Sequence, residues 1–170
     1  MAPGASFGGV PFGATPHGKQ LRVIETYRLI GTSPDRIFAV LADGWSYASW
    51  VVGAAHIRDV DPDWPAVGTR VHHRLGPWPL QVDDQTTVRA MELDRMLELA
   101  AGLWPVGAAI VRLDLVPVGP ARTRVTMSEA LTSGLGRFVP EVVQFFVLRP
   151  RNAEALRRLD DIAVHRETRR

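Results

Sequence analysis

Residues 135–163 read LGRFVPEVVQFFVLRPRNAEALRRLDDIA, and this stretch decides the fold. Leu135, Phe138, Val142, Phe146, Ala153, Leu156, Leu159 and Ala163 recur at steps of three, four and seven. Such spacing draws one apolar stripe along a helix. Arg151, Glu154, Arg157, Arg158 and Asp161 fall between them and are expected to face outward. Pro140 suits a helix start, where its missing N–H costs little. Pro150 lies inside the pattern, removes a backbone hydrogen bond and predicts a kink or a break. A long helix with one apolar stripe needs a sheet to lie against.

The preceding chain supplies that sheet. Leu21 to Ile30 is β-rich and partly alternating, a first strand. In the following GTSPDRIFAVLAD, Ser33 suits an N-cap, Pro34 a first helical position and Asp35 the positive end. Ile37, Phe38 and Leu41 form the buried face of this helix, and WSYASW predicts a second short helix or turn. Strands follow at Ala55–Val60, Gly68–Leu75, Leu80–Met91, Met96–Ala101, Ala109–Pro117 and Arg122–Ala130, punctuated by Gly and Pro turns. On the third of these, Leu80, Val82, Val88 and Ala90 share a face with Asp84 and Thr86, unless a bulge brings Asp83 inward instead. Short turns favour an antiparallel meander. The first strand then joins its far side. The result is an α+β architecture, a curved sheet of about seven strands around a C-terminal helix.

The 170 residues suit one domain with a sizeable core. Hydrophobic residues make up 46% and charged residues 22%, which excludes disorder of the whole chain. Residues 1–20 are rich in Gly and Pro and lack an apolar face, so a flexible tail is expected, followed by a domain over 21–165 and a basic end at 166–170. The tail does not read as a signal peptide. No apolar run reaches the length of a membrane span, and cytoplasmic residence is the expectation. The absence of cysteine excludes disulfides and thiolate chemistry. A net charge of only +2, without long runs of one sign, argues against nucleic acid.

The first strand with SPDRIFAVLAD, the WSYASW segment, the GTRVHHRLG strand, the TRVTMSEA strand and the long terminal helix together resemble the START-like helix-grip superfamily. That group includes polyketide cyclase/dehydrase and lipid-transport proteins. The resemblance covers about Leu21 to Ala163. It implies a cavity between concave sheet and helix, rimmed by loops at Gly76–Pro79, at Gly102–Gly107 and before the last helix. It does not choose among carriers, enzymes and co-chaperone-type domains.

Within that frame several residues carry chemistry. His72 and His73 are adjacent on a strand and point to opposite faces. His73 shares a face with Val71 and Leu75, where an imidazole polarises a carbonyl or accepts a proton near neutral pH. The same position suits a histidine hydrogen-bonded in an apolar wall. Glu129 shares a face with Val125 and Met127. It is either a buried carboxylate of the kind that gathers at sites or a glutamate on the rim. Trp50, Trp78 and Trp104 fall near the expected mouth and suit flat ligands, or core packing. Tyr47, Asp84, Met127 and Phe146 complete the expected ligand contacts.

No GxSxG elbow, dinucleotide fingerprint, P-loop or HExxH motif is present. No metal and no cofactor is expected. The leading expectation is a monomeric or homodimeric module that binds a hydrophobic or aromatic small molecule. A polyketide cyclase, aromatase or dehydratase using His73 and Glu129 is the alternative, and a co-chaperone-type interaction domain the second. A cavity with His73 and Glu129 converging favours the enzyme, a dry apolar one the binder, and a sealed core the interaction domain.

Overall fold

The computed structural model describes residues 22–75, 82–103, 107–133 and 141–165. The expected tail and basic end, Trp78, Trp104, Leu135, Phe138 and most of the expected rim lie outside the described residues.

Strand β1 (Val23–Ile30) leads into α1 (Pro34–Leu41), a 3-10 turn (Gly44–Ser46) and α2 (Tyr47–Trp50). Strands β2 (Ala54–Val60), β3 (Arg70–Leu75), β4 (Val82–Glu92), β5 (Met96–Leu103), β6 (Gly107–Gly119) and β7 (Arg122–Ser133) follow, then α3 (Glu141–His165). Pro34 starts α1 as expected, with Asp35 in the first turn. Ser33 holds the N-cap position in extended conformation but makes no capping hydrogen bond with its side chain.

All strand pairings are antiparallel, in the order β1-β7-β6-β5-β4-β3-β2. Strands β2 to β7 form the meander, and β1 joins it beside β7. The seven strands make a curved sheet with α3 across its concave face, the expected helix-grip architecture. Leu97, Leu99, Leu113, Leu115, Val125 and Met127 from the sheet pack into one core with Ile37, Phe38 and Leu41 of α1 and Leu156 and Leu159 of α3. A register shift between Val88 and Ala90 re-aims the end of β4. Val88 is buried, but Met91 and not Ala90 then packs against the core.

The helix corrects two expectations. The buried face of α3 carries Leu148, Asn152, Ala155, Leu156, Leu159 and Ala163. Phe146, expected on the stripe, is 70% exposed, and Ala153 is exposed as well. Two residues of helix turn the chain by about 200°, so Phe146 stands nearly opposite Leu148. Counting only apolar residues threads the stripe through Ala153. The true phase passes through the polar Asn152. Helix α3 also runs without a break through Pro150. The carbonyl that loses its donor there belongs to Phe146, four residues earlier. Its residue is on the solvent side, where water can serve that oxygen.

Candidate functional site

Between the sheet and α3 lies a cavity of about 40 Å³. Trp50, Val51, Leu99, Val111 and Met127 give it apolar walls, and Tyr47, His73, Arg151 and Asn152 give it polar ones. At about 10–15 Å³ for each water it has room for about three.

The alternation of β3 and β4 sets the polar wall. His73 is 2% exposed and faces the core, while His72 faces outward and pairs with Asp61 at 3.6 Å. On β4, Thr86 is buried inward, and the exposed Asp83 pairs with Arg74 at 3.1 Å. No bulge brings Asp83 in, and Asp84 stands opposite His73 in the β3–β4 register. Thr86 Oγ1 joins two groups: Tyr47 Oη lies 2.9 Å away and His73 Nε2 3.0 Å away. The Tyr47 and His73 rings stack at 5.3 Å, and Trp50 meets Tyr47 edge-on at 5.4 Å.

Burial disfavours charge on both rings. It lowers the His73 pKa from its usual value, against an opposing pull from Asp84. It pushes Tyr47 up to about 12, although the Thr86 hydrogen bond and the charge of Arg151 work against it. Near neutral pH the site therefore holds a neutral imidazole and a neutral phenol. In either tautomer His73 uses Nε2 toward Thr86 and leaves Nδ1 without a partner among the described residues.

Glu129 is 1% exposed, so the rim alternative is excluded. Its Oε1 accepts from Arg151 Nη1 at 3.3 Å. Arg151, expected to face outward, instead turns from α3 toward the sheet. Glu129 does not line the cavity itself; it holds the arginine that does. No hydrogen bond or ion pair joins His73 to Glu129 among the described residues, so the two do not form a dyad.

Two polar atoms of the lining residues, His73 Nδ1 and Asn152 Nδ2, are buried without a hydrogen-bond partner among the described residues, as are Asp84 Oδ2 and Glu129 Oε2, whose residues do not line the space. Asp84 spends Oδ1 on the Gln85 amide at 2.7 Å. Its carboxylate packs against Gly102, where any Cβ would overlap it. Unsatisfied buried groups each cost about 1–3 kcal/mol, and native proteins hold few. Two of the four, His73 Nδ1 and Asn152 Nδ2, belong to the cavity wall.

Tyr47, Trp50, Met127 and His73 line the space, Asp84 packs against Gly102 without lining it, and Phe146 stands away in solvent. Sequence reasoning missed Arg151 and Asn152. The available signal for Asn152 was its position four residues after Leu148 and seven before Leu159, in phase with the buried face. Among the described residues no three His, Asp or Glu side chains gather as a metal group. Nor is any described helix long and apolar enough to cross a membrane.

No family model and no curated protein matches the chain. Solved structures do. A START superfamily protein from Mycobacterium smegmatis superimposes with a TM-score of 0.67 at 13% identity, over 84% of this chain and 97% of that one. The ZhuI aromatase/cyclase from Streptomyces sp. R1128 gives 0.64 at 13%, over 86% and 95%. Truncated norcoclaurine synthase from Thalictrum flavum gives 0.63 at 14%, over 83% and 92%. The class is therefore defined by fold: this chain has the START-like helix-grip architecture.

Proposed function

We propose that the protein binds a small hydrophobic or aromatic molecule, lipid- or polyketide-like, between the sheet and α3. The observation that carries this reading is the largely apolar cavity between sheet and α3, to whose wall His73 and Asn152 bring polar atoms without a partner among the described residues. Apolar walls supply affinity, and a few polar groups fix orientation. The enclosed 40 Å³ is far below the roughly 300–1,000 Å³ of typical ligand sites. Binding therefore requires the wall to yield. The first half of α3 is the part suited to this, since Phe145, Phe146 and Val147 are all exposed there, whereas Leu156 and Leu159 anchor the second half. Polar groups inside the fold favour the interior over the surface as the working part, against a co-chaperone-type role.

A second reading has its own support. The neutral His73, linked through Thr86 to Tyr47, keeps one ring nitrogen open. That arrangement suits accepting a proton from a carbon beside a substrate carbonyl, as a cyclase, aromatase or dehydratase requires. The likeness to an aromatase/cyclase fold is compatible with it. We rank it second because Glu129, the other acid–base candidate, does not line the cavity with His73.

Titration with N-phenyl-1-naphthylamine, followed by its fluorescence, tests the binding reading. Saturable uptake at one site is expected, abolished by Ala101→Leu, which fills the cavity from β5. Uptake unchanged by that substitution would show surface adsorption, and absence of uptake would count against the reading.

A further inference from the structure

Two consecutive residues of α3, Arg151 and Asn152, line one wall of the cavity, where the guanidinium and the unpartnered amide nitrogen of Asn152 supply hydrogen-bond donors. Asn152 is 1% exposed, and its Nδ2 has no partner among the described residues. Asparagine is a poor choice inside a helix, and burying its unpaired amide adds a further penalty. Alanine or leucine would serve the core better at that position. Beside it, the guanidinium commits Nη1 to Glu129, and its fork geometry leaves further donors. On the sheet side His73 brings one unpartnered ring nitrogen to the wall, while the unpartnered oxygens of Asp84 and Glu129 belong to residues that do not line it.

We propose that Asn152 and Arg151 form an oxygen subsite that receives a neutral carbonyl of the bound molecule, a ketone, ester or carboxamide. This deepens the binding reading and rests on it. The chemistry follows from the donors. An unpaired N–H₂ beside a guanidinium seeks an acceptor, and a carbonyl oxygen accepts from both. Charge decides against an anion, because the one guanidinium on the cavity wall, Arg151, is already paired with the buried Glu129. Carbonyl and apolar body then meet opposite walls: oxygen at α3, carbon against Leu99, Val111 and Met127.

The probes are acetophenone, ethylbenzene, which replaces the carbonyl with a methylene in a similar shape, and benzoate. Dissociation constants are measured by NMR for the wild type and Asn152→Leu. Hydrocarbons partition better than ketones, so each probe is compared with itself across the two proteins. Acetophenone is expected to bind the variant at least about tenfold more weakly, while ethylbenzene stays within about twofold. Retained ethylbenzene binding also shows that the variant folds. In the wild type, acetophenone should shift the side-chain amide signal of Asn152 in nitrogen–proton spectra, and ethylbenzene should not. Equal loss of both probes, or an unmoved amide signal, overturns the subsite. Benzoate binding the wild type more tightly than acetophenone overturns the neutral-carbonyl assignment. Failure of all three probes to bind contradicts the binding reading itself, and the subsite with it.

Discussion

Arg151 Nη1 on α3 lies 3.3 Å from Glu129 Oε1 on β7, and the carboxylate it meets is wholly buried while the guanidinium remains 24% exposed. The helix is thereby tied to the concave face beside the cavity by a pair whose geometry is loose. Glu129 Oε2 stays unpartnered among the described residues. Replacing the pair with apolar residues of similar size would serve stability as well or better.

The two halves of that pair should therefore differ. Arg151→Met leaves a buried carboxyl group without its cation and should cost about 3–5 kcal/mol. Glu129→Gln keeps the shape and one acceptor and should cost about 1–3 kcal/mol. Urea denaturation measures both. Equal and small losses would mean that solvent already reaches Glu129.

Helix phase gives a second contrast. Leu156 is fully buried, so Leu156→Ala should cost about 2–5 kcal/mol. Phe146→Ala removes a solvent-facing ring and should change stability by no more than about 0.5 kcal/mol. The reverse order in urea unfolding would mean that α3 is rotated about its axis.

Stability should also respond to acid through His73. Its folded pKa lies below the unfolded value of about 6.5, so the unfolded chain takes up the proton first. The contribution is complete above that value and is lost as pH falls through the folded pKa. His73→Gln should flatten this part of the thermal-midpoint profile. An unchanged slope would assign it to other groups. For Tyr47 the sign is opposite: raised to about 12, it contributes fully below pH 10 and loses that contribution as pH rises toward 12.

Gly102 supplies a test of Asp84. A methyl at this position overlaps the Asp84 carboxylate, so Gly102→Ala should cost about 1–3 kcal/mol by overpacking. In an Asp84→Ala background the same change should be nearly neutral. A double-mutant cycle by urea denaturation gives the coupling, and additive losses would show that the two side chains do not compete for space.

Much of this was legible in the sequence. Period-two alternation announced the strands and placed His73, Val125 and Met127 inward, and SPDRIFAVLAD announced α1 by its proline and apolar spacing. The legible features were those set by local geometry. Helix phase was not, because Leu156, Leu159 and Ala163 fit the true face while Phe146 and Ala153 merely continued an apolar count. Asn152 lies in phase with that face, but a count of apolar residues alone passes over a polar one. Arg151 escaped for a related reason: a long charged side chain on a helix flank reads as solvent-facing until a buried carboxylate across the cavity claims it. The bulge after Val88 is likewise a feature of strand pairing, invisible to alternation within one strand.

A small molecule held between sheet and α3 is the central claim about this protein. Native mass spectrometry of the protein purified from its own source organism, compared with the same sample after denaturation, measures this. A stoichiometric adduct of low mass that is lost on denaturation, and is diminished in Asn152→Leu, is the expected result. A wild-type mass matching the bare chain in every preparation, together with no uptake of the naphthylamine probe, would contradict it.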